Sequence, residues 1–424
     1  MATTEQGHAI PSAGGAGMLL EENWDLRWPH SSRIFAKMDR EDAQVRSTLA
    51  AVELPPQRTT WRIDPNGADP EMVRLVAEDL RLPVLGEDGR QPTAVAPGHA
   101  SWNEHLAHAM KYLTYGVYFF EKVYKTIDGR DRLWKIAPRP PLTIREIKTY
   151  PDGGLRSIVQ APADGKGKPV EIPVERLLVY VNDPTVGWTG RSLLRPAYKH
   201  WVMKDRLLRL EGQVLHRNGM GVPVYTAGTP ERQDEVDAGQ EIAEGITAGD
   251  HTGVSAPYGA KFTIEGTKGQ LVSPRDAIAY HDHAISKAAL AHVLNLDGKG
   301  GSYALADTQL DMFEQSLQTN AEYVAITANR YLIEPLCRVA FDLEEETSAG
   351  PFPRLMFDPI GSKKELTSND LAILTQAGII LPDRDLEEEI RRRGNLPSKR
   401  PLEVGGPAPG PADDGDNNGE ETTE

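Results

Sequence analysis

Only one cysteine, Cys337, occurs in the 424 residues, so no disulfide can close within the chain and a reducing compartment is expected. No apolar run approaches the roughly 18 residues that suggest a membrane-spanning helix. No charged stretch followed by an apolar one opens the sequence in the manner of a secretory signal. Positive charge is in deficit: 47 Lys and Arg stand against 62 Asp and Glu, a formal net charge of −15. That balance disfavours a protein that grips nucleic acid through a broadly basic surface. It leaves room for local cationic stripes and for a surface that DNA slides past. No internal repeat is evident, which sets aside solenoids and propellers.

Patterns for catalysis and ligand holding are missing as well. The stretch LNLDGKGGSYALADTQ, residues 294–309, sets a glycine turn with a lysine before a helix, as phosphate-holding loops do. The match fails in detail: a phosphate loop has four residues between its first Gly and the Gly-Lys pair, with Ser or Thr after the lysine. Here Gly300 follows Gly298-Lys299, a helix precedes the turn, and Asp297 would repel a phosphate. The turn reads better as a hinge or specialised loop. His281 and His283 in Tyr-His-Asp-His point about 200° apart on a helix, so a shared metal is not expected. His105 and His108 share a helical face without the His-Glu-x-x-His pattern. The acids from Asp414 onward lack the helices that flank a calcium loop. Ser192 and Ser255 lack a nucleophile elbow, and Cys337 sits in an apolar helical context that suits an inert thiol. No enzyme, metal or cofactor is expected from these residues.

What is present is a composition of 39% hydrophobic and 26% charged residues, ordinary for a globular chain of two or three domains. Residues 1–17 and 396–424 have the composition of disordered segments, the second of them acidic. Ser101 caps a helix over 101–115 that Gly116 breaks. The strand VYFFEKVYK follows, then a series of strands and turns to about residue 182, so an α+β domain on a largely antiparallel sheet is predicted. One long helix is predicted over 191–219, with a kink or a later start at Pro196. Short strands and one acidic helix, carrying Glu231, Asp234, Glu235, Asp237, Glu241 and Glu244, fill 220–272. A second helix, capped at Ser273-Pro274, covers 273–294. A third runs from about 303 towards 340, with Tyr303, Leu310, Leu317, Val324 and Tyr331 as a seven-residue buried seam and Pro335 as a bend.

On the first long helix, Arg191, Arg195, Lys199, Arg206, Arg209 and Arg217 fall within a sector of about 80° at 100° per residue. Leu194, Ala197, Trp201, Leu208 and Leu215 fall in a sector of about 60° on the far side. The cationic side is either a solvated face or one that meets a polyanion or an acidic neighbouring subunit, for which the acidic helix offers a partner surface.

The succession of helix, small α/β insert, helix, glycine-rich loop and long kinked helix resembles the portal proteins of tailed phages, in the style of the Mu-like group. The words YLTYGVYFFEKVYK with its DGR turn, and GWTGRSLLRPAYKHWVMKD followed by RNGMGVPV, carry the resemblance across about residues 20–395. It implies a portal fold: a mixed α/β wing over 18–190, stem helices at 191–219 and 273–294, and a small α/β clip at 220–272. A tunnel loop at 295–303 would expose Asp297, Gly298, Lys299, Gly300, Gly301 and Ser302 to a channel. The long helix and wing completion would occupy 304–362, with a short helical crown at 363–395. The resemblance further implies rings, typically of twelve subunits, at one capsid vertex of the virion, assembled in the host cytoplasm. Double-stranded DNA passes through them in packaging and ejection. Partners would be the large terminase, a head–tail connector, and the major capsid and scaffolding proteins, with no membrane and no cofactor. The alternatives are a head–tail adaptor or scaffold component without a channel, which the length disfavours, or a phosphate-handling enzyme using Lys299.

Overall fold

The structure, a computed structural model, describes residues 21–87, 98–220, 222–228, 233–244, 255, 258–265, 273–289, 303–343, 350–361 and 375–376. The chain divides into two units, Met1–Ile360 and Gly361–Glu424. In the second unit the described residues are 361 and 375–376, the latter pair helical. The expected arm at 1–17, the tail at 396–424, the loop residues 297–302 and nearly all of 363–395 lie outside the described residues.

The first unit opens with two helices, α1 (His30–Glu41) and α2 (Ala43–Arg58), joined through Asp42. The Asp42 carboxylate caps α2, with Oδ1 accepting from the Gln44 and Val45 amides at 2.9 and 3.1 Å, which satisfies donors that a helix start leaves open. Strand β1 (Trp61–Asp64) leads to α3 (Pro70–Leu80), where Asp69 caps the helix and Pro70 takes a position whose missing N–H costs nothing. The predicted 101–115 helix is two pieces, α4 (Trp102–Ala109) and α5 (Tyr112–Tyr115), separated at Met110 and Lys111.

Gly116 then turns the chain at φ 90° into β2 (Val117–Ile127), which pairs with β3 (Arg130–Arg139). The hairpin turns on Asp128 and Gly129 at φ 53° and 79°, the signature of a tight turn whose twist suits the strands. β4 (Ile144–Thr149), β5 (Leu155–Gln160), β6 (Val170–Pro173) and β7 (Leu177–Val181) follow. Two three-stranded antiparallel sheets result, in the orders β3-β2-β7 and β4-β5-β6. The apolar run at the start of β2 has a direct cause: the strand is covered on both faces. Tyr118 and Phe120 enter the main core with Trp102, Leu106, Met110 and Tyr180, while Val117 and Phe119 enter a second cluster with Ile144, Ile158 and Leu177.

The helix predicted from residue 191 begins at Tyr198, as α6 (Tyr198–Met220). Residues 191–197 are instead pinned to the sheet domain: the Leu193 amide donates to Leu113 O at 2.9 Å and the Arg191 amide to Asn182 O at 2.7 Å. Buried Ser192 donates its hydroxyl to Thr114 O and accepts from the Leu194 amide, so it closes a turn, with no side-chain base bonded to it among the described residues. Past α6, β8 (Val222–Thr226) carries the acidic helix α7 (Gln233–Glu244) and pairs with β9 (Lys261–Glu265). Helix α8 (Arg275–Lys287) runs back along α6.

The last long helix is interrupted: α9 (Tyr303–Ala328), a π-turn (Asn329–Ile333), then α10 (Glu334–Ala340). Pro335 has no N–H for the Tyr331 carbonyl, and its ring crowds that carbonyl. The ammonium of buried Lys122 on β2 takes over, donating to Tyr331 O at 3.0 Å. Of the seven-residue seam, Leu317 and Val324 are buried, Leu310 and Tyr331 are 38% and 47% exposed, and the side chain of Tyr303 lies outside the described residues. A straight helix drifts about 20° per heptad, so Phe313, Ala321, Ala325, Ala328 and Leu332 complete the buried stripe. Strand β10 (Arg354–Phe357) closes the unit by pairing antiparallel with β1.

Candidate functional site

α6 and α8 pack antiparallel, and polar contacts at three levels fix their register. His200 Nδ1 lies 3.0 Å from His281 Nδ1, Lys204 is clamped by Asp42 and Asp282, and Arg275 Nε donates to Glu211 Oε1 at 2.8 Å. Gln44 of α2 adds a 2.6 Å bond to Ser286 Oγ. Lys204 is 8% exposed, with Nζ 2.9 Å from Asp42 Oδ1 and 2.5 Å from Asp282 Oδ1. Burial alone would lower its pKa, but the hydrogen bonds and charges of Asp282 and Asp42 outweigh that and hold it above the usual lysine value. Two imidazole nitrogens at hydrogen-bond distance must share one proton between them. Burial, then the His281 charge, then Lys199 push the His200 pKa down.

Beside this register a cleft of about 500 Å³ opens between the start of α6 and the end of α8. Its lining combines Arg195, Lys199, His200, Tyr280, His283 and Lys287 with Pro196, Ala284 and Ala288. Sequence reading missed the contribution of α8, because the cleft joins residues about eighty positions apart.

The six cations expected on one helical face divide. Arg191 and Arg195 precede α6 and do not share its face; Arg191 pairs with Asp183 at 3.3 Å, and Arg195 Nη2 donates to Glu21 Oε1 at 3.0 Å. Arg209 holds Asp205 one turn earlier on α6, Nε to Oδ2 at 2.9 Å. Lys199 and Arg206 are exposed, with no carboxylate in ion-pair range among the described residues. The backbone of Arg217 belongs to α6, while its side chain lies outside the described residues. Of the apolar side, Leu194 and Ala197 are buried, but Leu208 and Leu215 are 46% and 60% exposed.

On the acidic helix, Asp234, Asp237, Glu241 and Glu244 are exposed and Glu235 is half-buried; Glu231 lies outside the described residues. Gln233 and Gln240 bond Asp237 and Glu244 one turn on, at 2.9 and 2.8 Å. Gly239 lets α7 press onto the Tyr225 ring of β8, where a Cβ would overlap the ring. Thus the acids line a helix docked on a two-stranded sheet at the far end of α6.

The remaining residues singled out for chemistry have structural surroundings. His105 is fully buried, its Nε2 2.8 Å from Tyr180 Oη, and burial pushes its pKa down to about 3. Cys337 is buried, and burial followed by the nearby Glu334 charge pushes its thiol up to about 12. Among the described residues no group of three or more His, Cys, Asp or Glu could hold a metal ion, and no helix is long and apolar enough to cross a membrane.

Comparison with known proteins gives this geometry a context. The profile of the family described as the portal protein of Mu bacteriophage matches residues 32–392. A chain of the virion of a native gene transfer agent particle is similar in fold, with a TM-score of 0.55 at 10% identity, covering 88% of this chain and 95% of that one. Chains from the neck of the empty particle, computed with C6 symmetry, and of the native particle, computed with C12 symmetry, are also similar. Their TM-scores are 0.54 and 0.53 at 11% identity, covering 86% and 88% of this chain and 94% and 95% of theirs.

Proposed function

The chain belongs to the family of portal proteins of Mu bacteriophage, and from that premise we propose that twelve copies close into a ring around an axial channel at one capsid vertex. The portal role, a DNA channel in the phage particle, is carried by the family match across residues 32–392. The C12 symmetry of the native gene transfer agent neck, whose chain shares this fold, supports the copy number. Residues 18–190 and 304–362 form the wing, α6 and α8 the stem, 220–272 the clip, 295–303 the tunnel loop and 363–395 the crown. Double-stranded DNA passes through the channel during packaging and ejection and is retained between them. The clip docks the large terminase during filling and the head–tail connector afterwards, while the major capsid and scaffolding proteins surround the wing. Assembly takes place in the host cytoplasm.

Charge and sequence suit that task. A ring multiplies the −15 of each chain, and an acidic wall repels phosphates, so DNA is not trapped as it moves. Lys299, with glycines on both sides in the sequence, supplies transient phosphate contacts. Negative-stain imaging of the purified chain tests the reading: closed rings with an axial hole are expected, whereas a monodisperse monomer that binds labelled ATP overturns it. Deleting residues 299–301 should leave rings intact and reduce DNA packaging or retention; collapse of the fold would contradict the loop assignment.

A further inference from the structure

The α6–α8 cleft has a composition at odds with the rest of the chain. No acid among the described residues lines it, although acids outnumber bases by 62 to 47 overall. Arg195 is already held by Glu21, but Lys199 and Lys287 are exposed and face no carboxylate among the described residues. Pro196, Ala284 and Ala288 share the lining with Tyr280, His200 and His283. A matching ligand carries a carboxylate flanked by apolar side chains. The phosphates of a DNA duplex supply the charge but leave the apolar lining unmatched.

Such a group is present on the chain itself. On α9, Asp311 is exposed with no ion-pair partner among the described residues, and its neighbours Leu310 and Met312 are 38% and 57% exposed. We propose that the cleft is a socket for a second copy of the chain, filled by residues 310–312 of that copy, with Asp311 between Lys199 and Lys287. The proposal rests on the ring reading above. In a ring, neighbouring copies meet at equal axial height. The acidic helix α7 follows the far end of α6, about 30 Å from the cleft at 1.5 Å per residue, and is poorly placed to reach it. α2 packs against both α8 and α9, so the helix that carries the proposed donor shares a neighbour with the helix that lines the cleft.

Mass photometry of the full chain across a concentration series measures ring closure. The double variant Lys199→Glu/Lys287→Glu should raise the half-assembly concentration about tenfold or more, as expected when like charges meet across an interface. Circular dichroism and the thermal midpoint should stay unchanged. Lys166→Glu, on an exposed turn between β5 and β6, should have no effect. Adding Asp311→Lys to the double variant should restore assembly. If charge reversal disturbs the fold, Lys199→Gln/Lys287→Gln reports the same interface without adding charge. Wild-type-like assembly of the double variant overturns the proposal. So does normal assembly with weakened duplex-DNA binding, which would hand the cleft to phosphates. Loss without rescue overturns the assignment of Asp311. A wild-type chain that stays monomeric at every concentration overturns the ring reading itself.

Discussion

Replacing Lys122 with Met separates two opposing effects at the break in the last long helix. The wild-type ammonium satisfies the carbonyl of Tyr331 that Pro335 leaves open. Its burial is costly, and desolvation lowers the Lys122 pKa from 10.5 to about 8 despite the opposing charge of Glu175. A shift of that size corresponds to about 3 kcal/mol against the charged form at neutral pH. An unpaired carbonyl after substitution costs about 1–3 kcal/mol. Lys122→Met should therefore be neutral or stabilising by up to about 2 kcal/mol at pH 7.5, where deletion of a hydrogen-bonded residue ordinarily destabilises. The sign of the pH dependence follows from proton uptake. Between the folded and unfolded pKa values the unfolded chain binds more protons, so wild-type stability rises with pH through that window. The variant lacks the group, and its advantage should shrink by about 2 kcal/mol between pH 7.5 and 9.5. Urea unfolding followed by tryptophan fluorescence is a suitable assay, because all seven tryptophans lie between residues 24 and 201 and Trp61 and Trp102 sit in the core that packs on α9 and α10. A difference independent of pH, or a loss above about 3 kcal/mol at pH 7.5, would refute the reasoning by showing that the bond to Tyr331 outweighs burial.

Gly190→Ala should cost about 3 kcal/mol or more, from a left-handed backbone and displaced backbone hydrogen bonds; faster amide exchange at Asn182 and Arg191 would locate the damage, and unchanged exchange would contradict it. The folded His200 pKa lies below its ordinary 6.5, so the unfolded chain takes up protons first and the α6–α8 packing should weaken as pH falls through that value. His281→Gln should flatten the dependence of the thermal midpoint between pH 7 and 5.5; an equally steep profile sinks the shared-proton account. Cys337, buried with its thiol raised to about 12, should resist a thiol reagent at pH 8 until the chain unfolds in urea, and rapid stoichiometric labelling of the folded protein would be the contrary result.

Local signals are legible in the amino-acid sequence itself. Ser101 caps α4, Asp128-Gly129 turns the β2–β3 hairpin, and the Tyr-Gly-aromatic word marks a sheet that lies within the family match. Pro335 announces a bend, and the break falls in the turn just before it. Contacts that close across long stretches of chain are not legible. Arg195 meets Glu21, His200 meets His281 and Lys122 meets Tyr331, and no periodicity along one helix reports such pairs. The cationic stripe loses Arg191 and Arg195 for a related reason: a helical projection treats residues 191–197 as helix, whereas long-range backbone bonds hold them in another conformation.

Gly116 and Gly190 meet where the sheet domain gives way to the lead into α6. Their φ angles are 90° and 59°, and a Cβ on Gly190 would intrude on Gly116 O and come within 2.7 Å of Asn182 O. Asn182 bonds both strands of the crossing, its amide to Gly116 O at 2.8 Å and its Nδ2 to Arg191 O at 2.7 Å. Backbone approaches backbone directly at the two glycines, and the Asn182 side chain adds one further bond across the joint. The lead into α6 is thereby tied to the start of β2 and the end of β7 at a site where neither glycine position leaves room for a side chain.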